Sequence, residues 1–357
     1  MDINSKTDIL ISSNQRIEFI DAMRGFTMIL VVVCHVAGFC LGIQDDVPSI
    51  HPYLYEFRMP TFFFISGFVL YKSTEVWNIK YVLSFLRKKF PVQIVTTFIF
   101  FIIFVYIHGE NLGTCLFTDS KSGYWFTYTL FFYFVFYSFI RWFLYMLRCN
   151  DIITDAVVLF SGIIFYMSFS VRSIFYSLPV DQNISALLSM SHWGYFLFFI
   201  IGTLFKKYYV YLQLFLDKNI VIFLFLLIFF GANVFYDFLL TNYQNLLNLS
   251  TAISGVVLIF SFFRINQSSF VNEKTIGRCL QYIGRRTLDV YLLHYFFLPV
   301  GLLDVSSVLR NHPMPLIEFV ITLVISLVVI AGCLIFSKIL RMSPTMSYLL
   351  FGVKKHQ

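Results

Sequence analysis

The sequence predicts an all-α polytopic membrane protein of about ten transmembrane helices with both termini cytoplasmic, and three observations lead there. First, 59% of the 357 residues are hydrophobic and only 13% are charged, with a mean hydropathy of +0.78. Soluble domains are near half apolar and a quarter charged. So few charges cannot wet a globule of this size, whereas a lipid-facing surface does not need them. Second, cutting the chain at polar or Pro/Gly-rich breaks leaves ten apolar segments, to be set against the roughly 20 residues that cross about 30 Å of hydrocarbon. Third, with the N-terminus inside, 22 of the 26 Lys and Arg fall on the cytoplasmic side, leaving only Arg58, Lys121, Arg172 and Arg310 opposite. That is the positive-inside asymmetry.

The expected spans are 20–43, 57–71, 91–108, 124–146, 153–170, 192–205, 220–240, 246–263, 287–303 and 316–340. The first is interrupted by Asp21 and Arg24. It is longer than a signal-peptide core and lacks a small-residue cleavage site, so it reads as a retained span. The second, sixth and ninth are short and need burial in protein or a locally thinned bilayer. This divides the chain into a cytoplasmic N-terminal segment (1–19), a transmembrane domain (20–340) and a cytoplasmic C-terminal tail (341–357). Cys34, Cys40 and Cys333 lie inside apolar runs and no CxxC or Cys/His metal spacing occurs, so the six cysteines read as thiols, with neither a disulfide framework nor a metal site. The net charge of +7 would suit nucleic acid only if gathered on one exposed module; scattered between apolar runs, it does not. Membrane lipid is the expected surrounding, and most of the 46 Phe and 22 Tyr belong to lipid-facing and interfacial positions.

In so apolar a chain, ionisable groups inside spans are the informative positions. The first span holds Asp21, Arg24 and His35. Eleven residues at about 100° each bring His35 roughly 20° beyond three full turns from Arg24, so the two share a face about 16 Å apart. That places Arg24 near the cytoplasmic interface and His35 near the middle of the bilayer. An arginine there can hold an anionic ligand, and a neutral imidazole at depth can take a proton from a hydroxyl. Taken singly, Arg24 also fits a snorkelling topology anchor and His35 an interior hydrogen-bonded histidine.

The next segment, Arg58-Met59-Pro60-Thr61-Phe62-Phe63-Phe64-Ile65-Ser66-Gly67-Phe68, puts Ser66 and Gly67 where a second helix can approach the first closely. Ser66 reads as packing, since no GxSxG elbow surrounds it. The ninth span carries Asp289 and His294. His294 lies eight residues, about 12 Å, beyond Arg286, where it either lines a ligand route or fills a packing gap. His192, Asp237 and Glu318 fall near outer ends of spans.

The opening Arg16-Ile17-Glu18-Phe19-Ile20-Asp21-Ala22-Met23-Arg24-Gly25, the Arg24/His35 spacing, the run Met59 to Phe68 and the late Tyr291-Leu292-Leu293-His294 together resemble the acyltransferase 3 family of integral-membrane O-acyltransferases. The resemblance implies transfer of an acyl group, commonly acetyl, from cytoplasmic acyl-CoA to a hydroxyl of an extracytoplasmic glycan or lipid-linked sugar, in a bacterial inner membrane. It assigns Arg24 and His35 to the family's paired catalytic positions, with Asp21, Ser66 and His294 in support. Acyl-CoA is strongly anionic, and Arg87, Lys88, Lys89, Arg285 and Arg286 supply cations for it beside Arg24; topology alone also accounts for each of them. The family's stretch near Arg87 is usually richer in arginine, and lysines with Phe90-Pro91 partly replace it here.

A secondary transporter of a small polar or sugar-like solute is the alternative that ten spans with intramembrane charges also suit. Transporters often carry two related halves, and no second copy of the Asp21/Arg24/His35 pattern occurs in the C-terminal half. A glycan polymerase or flippase would favour a large outer loop or many interior cations, and the sequence has neither. The acceptor and the oligomeric state stay open.

Overall fold

A computed structural model describes residues 17–43, 49–73, 75–169, 181–216, 218–235, 241–302, 307 and 314–352. Among these residues the secondary structure is helical, with no strand, which makes the chain an all-α polytopic membrane protein. Six helices are long and apolar enough to span: Glu18–Cys40, Ile79–Ile107, Trp125–Met146, Asp151–Phe169, Gln244–Ile265 and Pro315–Leu340. A seventh arises if the pair Met190–Lys207 and Tyr209–Leu216, bent by 97°, is one broken span. The remaining expected spans are occupied by helices too, His51–Leu70, Asn219–Phe235 and Thr287–Phe297. Each is shorter or more polar than a simple crossing, which burial in protein or a locally thinned bilayer accommodates.

Two helices extend beyond the boundaries that Pro and polar breaks suggest. Pro91 does not start the third span; the helix begins at Ile79 and runs through Pro91 as a π-helical turn, Pro91–Val95. Proline removes one N–H and crowds the preceding turn. A wider π turn relieves the crowding, and the Thr96 hydroxyl donates to the carbonyls of Pro91 (2.8 Å) and Val92 (2.7 Å). The start is set by Asn78, whose side chain accepts from the Tyr81 N–H at 2.8 Å, an N-cap that satisfies one orphan donor. Residues 344–351 of the expected tail form a helix, Pro344–Phe351, started by a Ser343 cap and ended by Gly352 at φ +64°. Its Phe351 is buried.

Contacts divide the chain into two compact units. The first comprises residues 1–65, 205–287 and 299–330, and the second residues 66–204, 288–298 and 331–357. In the second, the Tyr124 hydroxyl donates to the Leu292 carbonyl at 3.0 Å and the Tyr291 hydroxyl to the Gly123 carbonyl at 3.1 Å. These bonds pin the loop before Trp125–Met146 onto Thr287–Phe297. The same unit buries Asp289, held bidentately by Arg341 (Nη2 to Oδ1 2.6 Å, Nε to Oδ2 2.8 Å) and by the Ser337 hydroxyl. Arg341 also stacks on the Phe351 ring, 4.2 Å to its centroid, so one cation ties three helices together.

Candidate functional site

Within the first unit, the helix Glu18–His35 continues directly into a π turn, Val36–Cys40. Residues 24–35 are therefore regular α-helix, and the shared face of Arg24 and His35 holds as the spacing predicts. From Asp21 to Cys40 every residue is buried except Arg24, Phe26, His35, Gly38 and Phe39. The two polar positions are half-open on an otherwise covered helix. His35 lies about six residues, or 9 Å, past the midpoint of Glu18–Cys40,, nearer the C-terminal end of the span than its middle. Its ring meets the edge of Phe39 at 5.7 Å. Beyond the π turn the helix stops at Gly42, φ +58°, with the Ile43 N–H donating to the Ala37 carbonyl at 3.0 Å. A π turn in an otherwise α-helical span frequently marks a functional position.

At the other end of this helix, Arg24 sits 3.9 Å from Asp21, whose side chain is nearly covered. The segment expected as a cytoplasmic loop here contains the helix Thr275–Arg285, which crosses the first helix glycine on glycine. A methyl group at Gly25 would overlap the Leu280 carbonyl, and one at Gly284 would overlap the Asp21 carbonyl. Such small-residue crossings bring backbones into contact, with Cα–H groups facing carbonyl oxygens. The crossing brings the backbone of Gly284, and with it the following Arg285 and Arg286, to the Asp21/Arg24 end of the first helix. Gly284→Ala is therefore expected to cost about 1–3 kcal/mol by overpacking, and to weaken anionic-ligand binding because Arg285 and Arg286 shift away from Arg24. Thermal unfolding and ligand titration of the purified variant measure both, and wild-type values in each would show that the crossing sets nothing.

Near His35 the helix His51–Leu70 contributes Tyr55 and Arg58. The Tyr55 hydroxyl donates to the carbonyl of Cys34 at 3.1 Å and lies 3.5 Å from where a Cβ on Gly38 would stand, so it braces both sides of the π turn. The Arg58 guanidinium lies over the Tyr55 ring, 4.2 Å to its centroid, and reaches the buried Cys34 thiol. Close by, His51 Nε2 is 3.3 Å from Glu318 Oε1, both side chains 1% exposed. Ser49 donates to the same carboxylate oxygen. Glu318, expected near the outer end of its span, is thus part of an interior cluster.

Ser66, Arg87, Lys88, Lys89 and His294 belong to the second unit. At Gly67 a methyl would overlap the Phe199 carbonyl of Phe196–Lys207, so that helix makes a close approach there. Arg87 and Lys88 are exposed, while the Lys89 ammonium lies 4.9 Å from the Phe134 ring centroid. His294 is fully buried, its Nδ1 2.8 Å from the Tyr291 carbonyl and 3.1 Å from that of Val290, and its ring 4.0 Å from that of Tyr295. Carbonyls only accept, so Nδ1 carries the proton. His192 stacks on Trp125 at 3.8 Å. Asp237 lies outside the described residues.

Sequence reasoning missed Gly25, Gly284, Tyr55 and the pairing of His51 with Glu318. For the glycines a signal existed: a glycine inside a helix costs about 1 kcal/mol relative to alanine, and each stands next to a singled-out arginine. Tyr55 and His51 gave none, because one more tyrosine among 22 carries no pattern. No curated protein and no solved structure matches the chain. The family described as Acyltransferase domain matches residues 17–338, a stretch that contains every residue placed at the first helix and its crossing. The chain therefore belongs to this acyltransferase family.

Proposed function

We propose that the chain is a membrane-embedded O-acyltransferase that moves an acetyl or related acyl group from cytoplasmic acyl-CoA to a hydroxyl of an extracytoplasmic glycan or lipid-linked sugar, in a bacterial inner membrane. The observation that carries this reading is the first helix: a cation and an imidazole share one face about 16 Å apart and are half-open on a covered surface. One end can hold an anionic donor while the other meets the acceptor. Arg24, Arg285 and Arg286 supply charge-assisted donors for the CoA phosphates, with Asp21 orienting Arg24. His35 takes the proton of the acceptor hydroxyl as that oxygen attacks the thioester carbonyl carbon. It returns the proton to the departing CoA thiolate, so the products are an ester and a neutral thiol.

The test is CoA release from acetyl-CoA by the purified protein in nanodiscs, with and without a crude envelope glycan extract. Release that requires the extract is expected; no binding or release of CoA with any acceptor overturns the reading. In the same assay Arg24→Lys keeps the charge but loses the planar fork. It is expected to weaken acetyl-CoA binding by about tenfold or more, the cost of a charge-assisted hydrogen bond worth about 1.5–3 kcal/mol. Unchanged affinity and turnover would reduce Arg24 to a topology anchor.

A further inference from the structure

The reaction just proposed develops negative charge on the acyl oxygen where His35 removes the proton, and that charge needs a donor within hydrogen-bond reach. Arg24 cannot supply it, because it stands about 16 Å along the helix from His35. The first unit offers another cation. Arg58 Nε and Nη1 are buried without a hydrogen-bond partner among the described residues. Among the described residues no ion pair joins Arg58 to a carboxylate: Glu318 pairs with His51 through Oε1 and accepts from Ser49 there, while its Oε2 has no hydrogen-bond partner. Buried guanidinium N–H groups left without a partner are costly, and they persist where an anion or a developing anion completes them. Its setting ties it to His35 through two contacts: it lies over Tyr55 at 4.2 Å, and Tyr55 holds the carbonyl of Cys34, the residue before His35, at 3.1 Å.

We infer that Arg58 is a catalytic residue that receives the oxyanion of the acyl-transfer step; the inference rests on the acyltransferase reading. As the acceptor oxygen bonds to the carbonyl carbon and its proton passes to His35, the carbonyl π pair moves onto oxygen and is held by the Arg58 N–H groups. When the C=O re-forms, the C–S bond breaks and the thiolate takes the proton from His35. Tyr55 fixes the guanidinium over its ring face and holds the Cys34 carbonyl beside His35, so base and oxyanion donor share one brace.

The experiment compares wild type, Arg58→Gln and Arg58→Lys in nanodiscs, with acetyl-CoA and chloroacetyl-CoA as donors and the glycan extract as acceptor source. Removing an oxyanion donor lowers kcat by about 10²–10³-fold. That loss is expected for Arg58→Gln on acetyl-CoA, with KM for the donor unchanged and partial rescue by lysine. Chlorine withdraws electrons and eases the oxyanion, so the loss on chloroacetyl-CoA is expected to be smaller. The Arg58→Gln melting midpoint is expected to hold or rise, because buried N–H groups without a partner have been removed. A wild-type kcat, an equal loss on both donors, or a loss confined to KM overturns the assignment while leaving the acyltransferase reading standing. A wild type inactive on both donors overturns the two together.

Discussion

His35→Ala is expected to lower acyl transfer by about 10²–10⁴-fold, the range that a positioned general base contributes, while the purified protein keeps its wild-type melting behaviour. The asymmetry follows from the site. Alanine at residue 35 stays helical, and His35 is itself partly exposed, beside a Phe39 that is 67% exposed, so the change opens no sealed cavity. Donor binding at Arg24, Arg285 and Arg286, about 16 Å away along the helix, should also survive. The measurement is acetyl-CoA turnover beside acetyl-CoA affinity in nanodiscs. Turnover retained at the wild-type rate would remove His35 from the mechanism, and loss of affinity along with turnover would move it from base to donor-binding group.

The second large effect concerns stability. Arg341→Met takes the cation from a carboxylate whose side chain is 2% exposed, and breaking a buried pair from one side costs about 3–5 kcal/mol. The double variant Asp289→Leu with Arg341→Met removes both charges and should recover most of that loss, since a buried pair replaced by apolar groups is often neutral in its effect. Arg341 also caps the Phe351 ring at 4.2 Å, so a small part of the loss should remain. Thermal unfolding of the wild type, Arg341→Met and the double variant measures it. A single variant as stable as wild type would mean the pair contributes nothing.

How much of this was legible beforehand differs by kind of residue. The membrane class followed from composition, and the shared face of Arg24 and His35 followed from helix arithmetic, because both depend only on local periodicity. Helix ends were legible where a glycine or a cap decides them. Pro91 misled because a π turn and the Thr96 hydroxyl let the helix continue through it, and only the spatial arrangement reveals that relief. The role of Asp289 was illegible for another reason: its partner Arg341 is 52 residues away and looks like a topology cation. The brace of Tyr55 on Cys34 and the His51–Glu318 pair, 267 residues apart in the chain, are long-range contacts that no spacing rule encodes.

The glycine crossing also sets the order in which the molecule can come to life. Gly25 and Gly284 are separated by about 260 residues of chain, and at roughly 5–20 residues per second the second glycine emerges some tens of seconds after the first. Until then the Arg24 end of the first helix lacks its covering helix and the two arginines that follow Gly284. A nascent or truncated chain can hold its first helix in the bilayer and still lack this crossing. Assembly of this arginine-bearing end is thus deferred to the last stages of biogenesis.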